Sequence, residues 1–147
     1  MMNRVYRLHS RIIKSGYHND ILSIRKILLL CVQLAPESLS YARLVFNSSA
    51  SHDTFSCNTI IRAHAHASPP DALAFFSKMQ SRGVSLDHFT FPFVLKACAR
   101  LQTGLEFHSL VLKLGFDSDI FVQNSLINVY GCSGLVELAL KAFNEIV

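Results

Sequence analysis

Tryptophan is absent from this 147-residue chain, and charged residues make up only 16% of it. The low charge, with 50% hydrophobic residues, excludes a disordered polypeptide, which needs the opposite balance. There is no long hydrophobic run either. The longest, Ile27 to Val32, falls far short of the roughly 20 apolar residues that span a bilayer. Four cysteines, Cys31, Cys57, Cys98 and Cys132, form no Cys-x-x-Cys pair and lack the clustered spacing of a disulfide framework. Each lies in a mostly apolar helical context, so buried thiols packing as small hydrophobes in a reducing compartment are expected.

The length suits one domain. The formal charge is +4, but basic residues are spread along the chain without a Lys/Arg block, so charge alone says little about partners. Arg4, Arg7, Arg11 and Lys14 precede any acidic residue, which taken alone resembles an amphipathic organellar presequence. The same residues belong to a segment that recurs later in the chain. A start inside a repeat array, with no clear presequence, is therefore the expectation.

That recurrence is the dominant feature. Leu8-His9-Ser10-Arg11-Ile12-Ile13-Lys14-Ser15-Gly16-Tyr17-His18-Asn19-Asp20 returns 99 residues later as Phe107-His108-Ser109-Leu110-Val111-Leu112-Lys113-Leu114-Gly115-Phe116-Asp117-Ser118-Asp119. His, Ser, Lys, Gly and Asp are kept, which marks one supersecondary unit being stacked. A Gly with Asp four residues on occurs at Gly16-Asp20, Gly83-Asp87 and Gly115-Asp119; an Ala with Phe four residues on occurs at Ala42-Phe46, Ala72-Phe76 and Ala139-Phe143. An i, i+4 pair shares a helix face, so the latter is a packing signature.

Apolar spacing between these landmarks is helical, and no stretch shows sustained strand alternation. Pro69-Pro70 suits a first helical turn; Gly16, Gly83 and Gly115 fall where left-handed C-caps are wanted. The fold class is all-α: an α-solenoid of antiparallel helix-turn-helix repeats of about 32–35 residues. The units run from a partial one at 1–20, through 21–53, 54–87 and 88–119, to a cut-off one at 120–147. His9 and His108 recur at the helix-pair contact, where a structural role outweighs catalysis.

A period near 34 fits two families, and the residues discriminate. There is no Trp and no Leu-Gly step in a first helix, both expected of the tetratricopeptide pattern. Thr54-Phe55-Ser56-Cys57-Asn58-Thr59-Ile60-Ile61-Arg62-Ala63, then Asp71-Ala72-Leu73-Ala74-Phe75-Phe76-Ser77-Lys78-Met79 and Gly83-Val84-Ser85-Leu86-Asp87, resembles a plant pentatricopeptide repeat. The segment from Phe89 to Ala99 looks like the long variant of that repeat, and Ile120 to Tyr130 like the short one. Long, short, plain, long, short is the order of the plant PLS subfamily, whose triplets match the 99-residue echo. The resemblance covers essentially the whole chain and implies a right-handed solenoid.

The resemblance further implies single-stranded RNA recognition, one base per repeat, in a mitochondrion or chloroplast, with the mitochondrion slightly preferred. The expected role is site recognition for C-to-U editing or other processing, alongside editing or processing proteins. Base choice falls to a residue early in the first helix and to the repeat's last residue. The plain repeat supplies Asn58 and Asp87, a pair that in this family favours a pyrimidine, mainly uracil. The long repeat supplies Pro92, which has no side-chain hydrogen-bonding group, and Asp119. The last repeat supplies Asn124. The unit before the plain repeat supplies Arg25 and Asp53; Arg25 either salt-bridges, touches phosphate or sits on a solvated face. Phe55, Phe89 and Phe121 hold the position that stacks on a base.

Departures from the family pattern are a plain repeat one residue short around Ser68-Pro69-Pro70, Leu86 in place of the usual Pro, and about three residues missing between Leu101 and Gly104. The last is expected to disturb packing between neighbouring repeats. A zinc deaminase needs His-x-Glu and Cys-x-x-Cys, and neither occurs; there is no GxxxxGK or GxGxxG phosphate cradle. His64 and His66 point to different helix faces, and Asp117 and Asp119 read as loop residues. No enzymatic activity, metal, cofactor, membrane or small-molecule substrate is expected. The alternative to RNA binding is a protein-interaction helical scaffold, or a truncated repeat protein without RNA function.

Overall fold

The computed structural model describes residues 2–34, 38–101 and 104–146. Among these residues nine α-helices follow one another: α1 Met2–Lys14, α2 Ile21–Leu34, α3 Leu39–Ser48, α4 Thr54–Ala67, α5 Pro69–Ser81, α6 Thr90–Leu101, α7 Gly104–Lys113, α8 Ile120–Cys132 and α9 Val136–Ile146. A single 3-10 turn, Tyr17–Asn19, leads into α2. The pairs α2/α3, α4/α5, α6/α7 and α8/α9 form hairpins, while α2 packs on α4, α4 on α6 and α6 on α8. The first helices of the hairpins therefore make one continuous layer. Helices α3, α5 and α7 each reach back to their own partner and forward to the next first helix, at α4, α6 and α8.

Helix starts are set by one recurring carboxylate. Asp20, Asp53, Asp87 and Asp119, spaced by 33, 34 and 32 residues, each precede a first helix and accept its free amides. Such a cap is worth about 1 kcal/mol. Pro69 and Pro70 open α5, separated from α4 by Ser68 alone. This accounts for the missing residue in that unit. The second helices α5 and α7 end at left-handed glycines, where Gly83 (φ 66°) and Gly115 (φ 74°) let Val84 and Phe116 donate back to the carbonyls of Met79 and Val111, whereas α3 ends at extended Ser49.

The core lies in two clusters joined through α6. Val94, Ala97 and Cys98 of that helix pack with residues of α2–α5, whereas Phe91, Leu95 and Ala99 pack with Val111, Val122, Leu126 and Tyr130. A first helix in mid-array is apolar on two faces because it has neighbours on both. Half-buried Leu86, Phe107 and Leu110 touch both clusters. Residues 102 and 103 lie outside the described residues, and α6 keeps its contacts with α4, α7 and α8. The expected disturbance there does not break the stacking order.

Two expectations need correction. Ala42-Phe46 and Ala72-Phe76 are buried packing pairs, but Phe143 is 54% exposed. No described helix lies beyond α9 to cover it. Likewise Cys31, Cys57 and Cys98 are buried, whereas Cys132 is exposed, one turn from Asn128 on an uncovered face of α8. Burial pushes the thiols of Cys31 and Cys57 up to about 11 and about 12, so neither forms a thiolate near neutrality.

The echoed histidines reach tyrosines from different places. His9 Nδ1 lies 2.6 Å from the Tyr41 hydroxyl of α3, and His108 Nδ1 bonds the Tyr130 hydroxyl of α8. Ring centroids are 5.8 and 5.7 Å apart in the two pairs. The position 99 residues before Tyr130 holds Cys31, so a tyrosine from the second helix supplies the hydroxyl in the earlier copy.

Candidate functional site

Two of the capping aspartates, Asp53 and Asp87, also face sideways and bond the preceding first helix. Asn58 stands 33 residues after Arg25 and 34 before Pro92, each about one turn into its helix. Asn58 Nδ2 donates to Asp87 Oδ1 at 2.9 Å. The same oxygen accepts the amides of Phe89 (3.1 Å) and Thr90 (2.9 Å) and the Thr90 hydroxyl (2.9 Å). With one of its two N–H groups engaged by the carboxylate, the Asn58 amide has a fixed orientation. Its Oδ1 is buried and has no hydrogen-bond partner among the described residues. A buried acceptor without a donor costs about 1–3 kcal/mol, which a ligand N–H would recover once the side chains over it shift aside.

Asn58 lines a cavity of about 670 Å³ between α2, α4 and α6. The rings of Phe55 and Phe89, 43% and 52% exposed, also line it, as do Arg62 and Phe93 one turn deeper. Large apolar rings left in water on either side of a polar floor suit a flat heterocycle that stacks and hydrogen-bonds at once. The Arg62 guanidinium sits 5.9 Å from the Phe93 ring centroid.

The neighbouring positions differ. Arg25 donates through Nε and Nη2 to Asp53 Oδ2, the Nε bond being 2.8 Å, and its guanidinium lies 5.0 Å from the Phe55 ring centroid. Arg25 is thus an ion-paired, half-buried residue and not part of a solvated face. Burial pushes the Asp53 carboxyl upward, but hydrogen bonds from Arg25 and Ser56 and the Arg25 charge outweigh it, holding the group below the usual carboxylate range. Among the described residues Asp119 accepts only backbone amides, from Phe121 (2.9 Å) and Val122 (3.1 Å), because Pro92 offers no donor. Asn124 and Phe121 are exposed on α8.

Three contributors escape a reading of sequence alone. Leu22, 67% exposed, occupies the place of Phe55 in the preceding hairpin and extends the apolar row. Its type suggests core. Arg62 and Phe93 line the cavity; the i, i+4 spacing of Arg62 from Asn58 is the signal that would have found it. His64 and His66 diverge as expected, one bonded to the Ile60 carbonyl and the other facing Arg100. Among the described residues no His, Cys, Asp and Glu cluster suits a metal ion, and no helix is long and apolar enough to cross a membrane.

Stacked helix hairpins with a capping carboxylate at each seam define a helical-repeat protein whose seams form shallow pockets. Family models specify which kind. The PPR repeat family matches residues 52–100, and the PPR repeat matches residues 124–147. Among Arabidopsis thaliana proteins, the chain is 38% identical over 93% of its length to pentatricopeptide repeat-containing protein At3g22690 and 39% identical over 95% to At1g31920. It is 37% identical over 98% to the one named At1g59720, chloroplastic/mitochondrial. The chain belongs to the pentatricopeptide repeat family. It spans 17%, 24% and 24% of the length of these three relatives.

Proposed function

We propose that the chain is a non-enzymatic module that binds single-stranded RNA, taking one base into the cavity of Asn58. The base stacks between Phe55 and Phe89, and the free Asn58 Oδ1 accepts an N–H from its Watson–Crick edge. Uracil presents such a group at N3. The observation that carries this reading is the Asn58–Asp87 hydrogen bond, which takes one of the amide's two N–H donors, fixes its orientation and leaves its buried acceptor unpaired. The Arg25/Asp53 position is closed by its own ion pair, and Pro92/Asp119 stacks without selecting. The units 21–53, 54–87 and 88–119 would be short, plain and long repeats of the PLS type. Within a longer protein, such an array would direct C-to-U editing or other processing of an organellar transcript.

Fluorescence anisotropy with short labelled RNAs tests the reading. Salt-sensitive binding is expected, tighter when uracil replaces adenine at one position. Asn58→Ala should flatten that preference. Binding that ignores salt, or a preference untouched by Asn58→Ala, overturns the proposal. A second reading, a scaffold for protein partners, draws on the exposed row Val136, Leu140 and Phe143 on α9. Capture of a partner that survives RNase and high salt would favour it.

A further inference from the structure

A second groove lies on the other side of α2, between it and α1. Arg25 and Leu29 line the cavity of Asn58, while Lys26 and Leu30, each one residue further round α2, line a groove of about 750 Å³ with Arg4, Arg7 and Arg11. Lys14 continues the row along α1. At about 100° per residue, positions 4, 7, 11 and 14 fall within about 80° of one another, a stripe about 15 Å long. All five cations are exposed, and none makes an ion pair among the described residues.

This arrangement costs the isolated helix stability. Arg4/Arg7, Arg7/Arg11 and Arg11/Lys14 are like-charge pairs at i, i+3 or i, i+4, which repel. Arg4 also sits in the first turn, where the helix dipole disfavours a cation. Half-buried Leu8 lines the groove beside the cations, and the packing of α1 comes from the face beyond it, through buried Val5 and half-buried His9 and Ile12. Repulsion of this kind is relieved by a polyanion laid along the stripe.

We propose that the α1/α2 groove is a phosphate-binding track for the RNA strand beyond the base-reading cavity. The inference rests on the RNA-binding reading above and adds a site to it. Since α2 is the wall common to both grooves, a strand leaving the Asn58 cavity past Arg25 meets Lys26 and then the α1 stripe. Guanidinium groups suit phosphate oxygens through paired N–H donors. The track carries no base information, because phosphate contacts position a strand without reading it.

Salt dependence separates the two sites. For single strands log K falls with log salt by about 0.7 per phosphate neutralised. The triple variant Arg4→Gln, Arg7→Gln, Arg11→Gln should therefore flatten the slope by about 2, and the corresponding triple change to Lys should keep it. Glutamine preserves helix propensity, and matched circular dichroism melts confirm the fold. Lengthening the RNA at one end should tighten binding to the native chain but not to the Gln triple, with uracil preference unchanged in both. An unchanged slope in the Gln triple, or no gain from lengthening at either end, overturns the track while leaving the Asn58 site standing. If the native chain binds no RNA, the base-reading proposal itself falls. Adsorption to phosphatidylserine vesicles that is lost in the Gln triple, alongside an unaltered RNA slope, would reassign the stripe to membranes.

Discussion

Asn58 and Asp87 are joined by a 2.9 Å hydrogen bond across two helices, and one carboxylate oxygen serves both this contact and the cap of α6. The two ends of the bond are therefore unequal. Asn58→Ala leaves the oxygen three other donors and should cost about 0.5–1.5 kcal/mol. Asp87→Ala removes the cap, about 1–2 kcal/mol, and strands the buried Asn58 amide as well. Urea denaturation should rank Asp87→Ala as clearly the less stable; the reverse order would refute the shared-oxygen account.

The Arg25–Asp53 pair yields a pH signature. The Asp53 carboxyl is held below its ordinary value in the folded chain, so its contribution is present above the unfolded Asp value of about 3.9. It is lost as pH falls through the lower folded value. Asp53→Asn keeps a good cap through its one oxygen, but removes the charge and the second oxygen that Arg25 bonds. Both partners are partly exposed, so the expected loss at pH 7 is at most about 1 kcal/mol. The gap between the two melting curves should close as pH falls through the lowered Asp53 value. A gap that persists in acid would mean that the pair contributes something other than charge.

Two glycines should respond with opposite signs. Gly115 has φ 74° and open space where a Cβ would point, so Gly115→Ala is penalised by backbone conformation alone, about 1–2 kcal/mol. Gly131 lies inside α8 with equal space and an ordinary φ, so Gly131→Ala should stabilise by up to about 1 kcal/mol. Thermal melts of the two variants distinguish these effects directly.

The Ala-Phe signature predicts equal phenylalanines, and the packing makes them unequal. Phe76 is buried against Phe91 and Phe107, with ring centroids at 6.4 and 5.7 Å. Phe76→Ala should cost about 3–5 kcal/mol. Phe143→Ala, on an uncovered face, should stay within about 0.5 kcal/mol. Equal losses at both sites would show that α9 is covered in solution.

What could be read from sequence was whatever repeats locally. Gly and Asp four residues apart foretell a left-handed helix end and the next cap, because both roles depend on backbone within one turn. The Asn58–Asp87 pair followed from resemblance to a repeat, and its geometry needed the stacking of α4 on α6. Exposure was harder. Phe143 has the same local context as its buried counterparts, and only the presence of a further helix decides its fate; Cys132 instead stands where Gln33, His66 and Arg100 stand in the earlier units, on a face exposed in each. The tyrosine partners of His9 and His108 come from non-equivalent helices, so no periodic rule announces them. Leu22 was hidden for a chemical reason: a leucine is ordinarily interior.

The four capping aspartates carry one further consequence, for how such an array can diversify. A residue that must start a helix is drawn from a short set, chiefly Asn, Asp, Ser and Thr. The same residue also bonds a side chain one turn into the preceding first helix, as Asp87 bonds Asn58 and Asp53 bonds Arg25. The vocabulary at that seam is therefore limited by folding before any ligand is considered. Changing what a seam prefers without unravelling the helix behind it means exchanging one capping side chain for another.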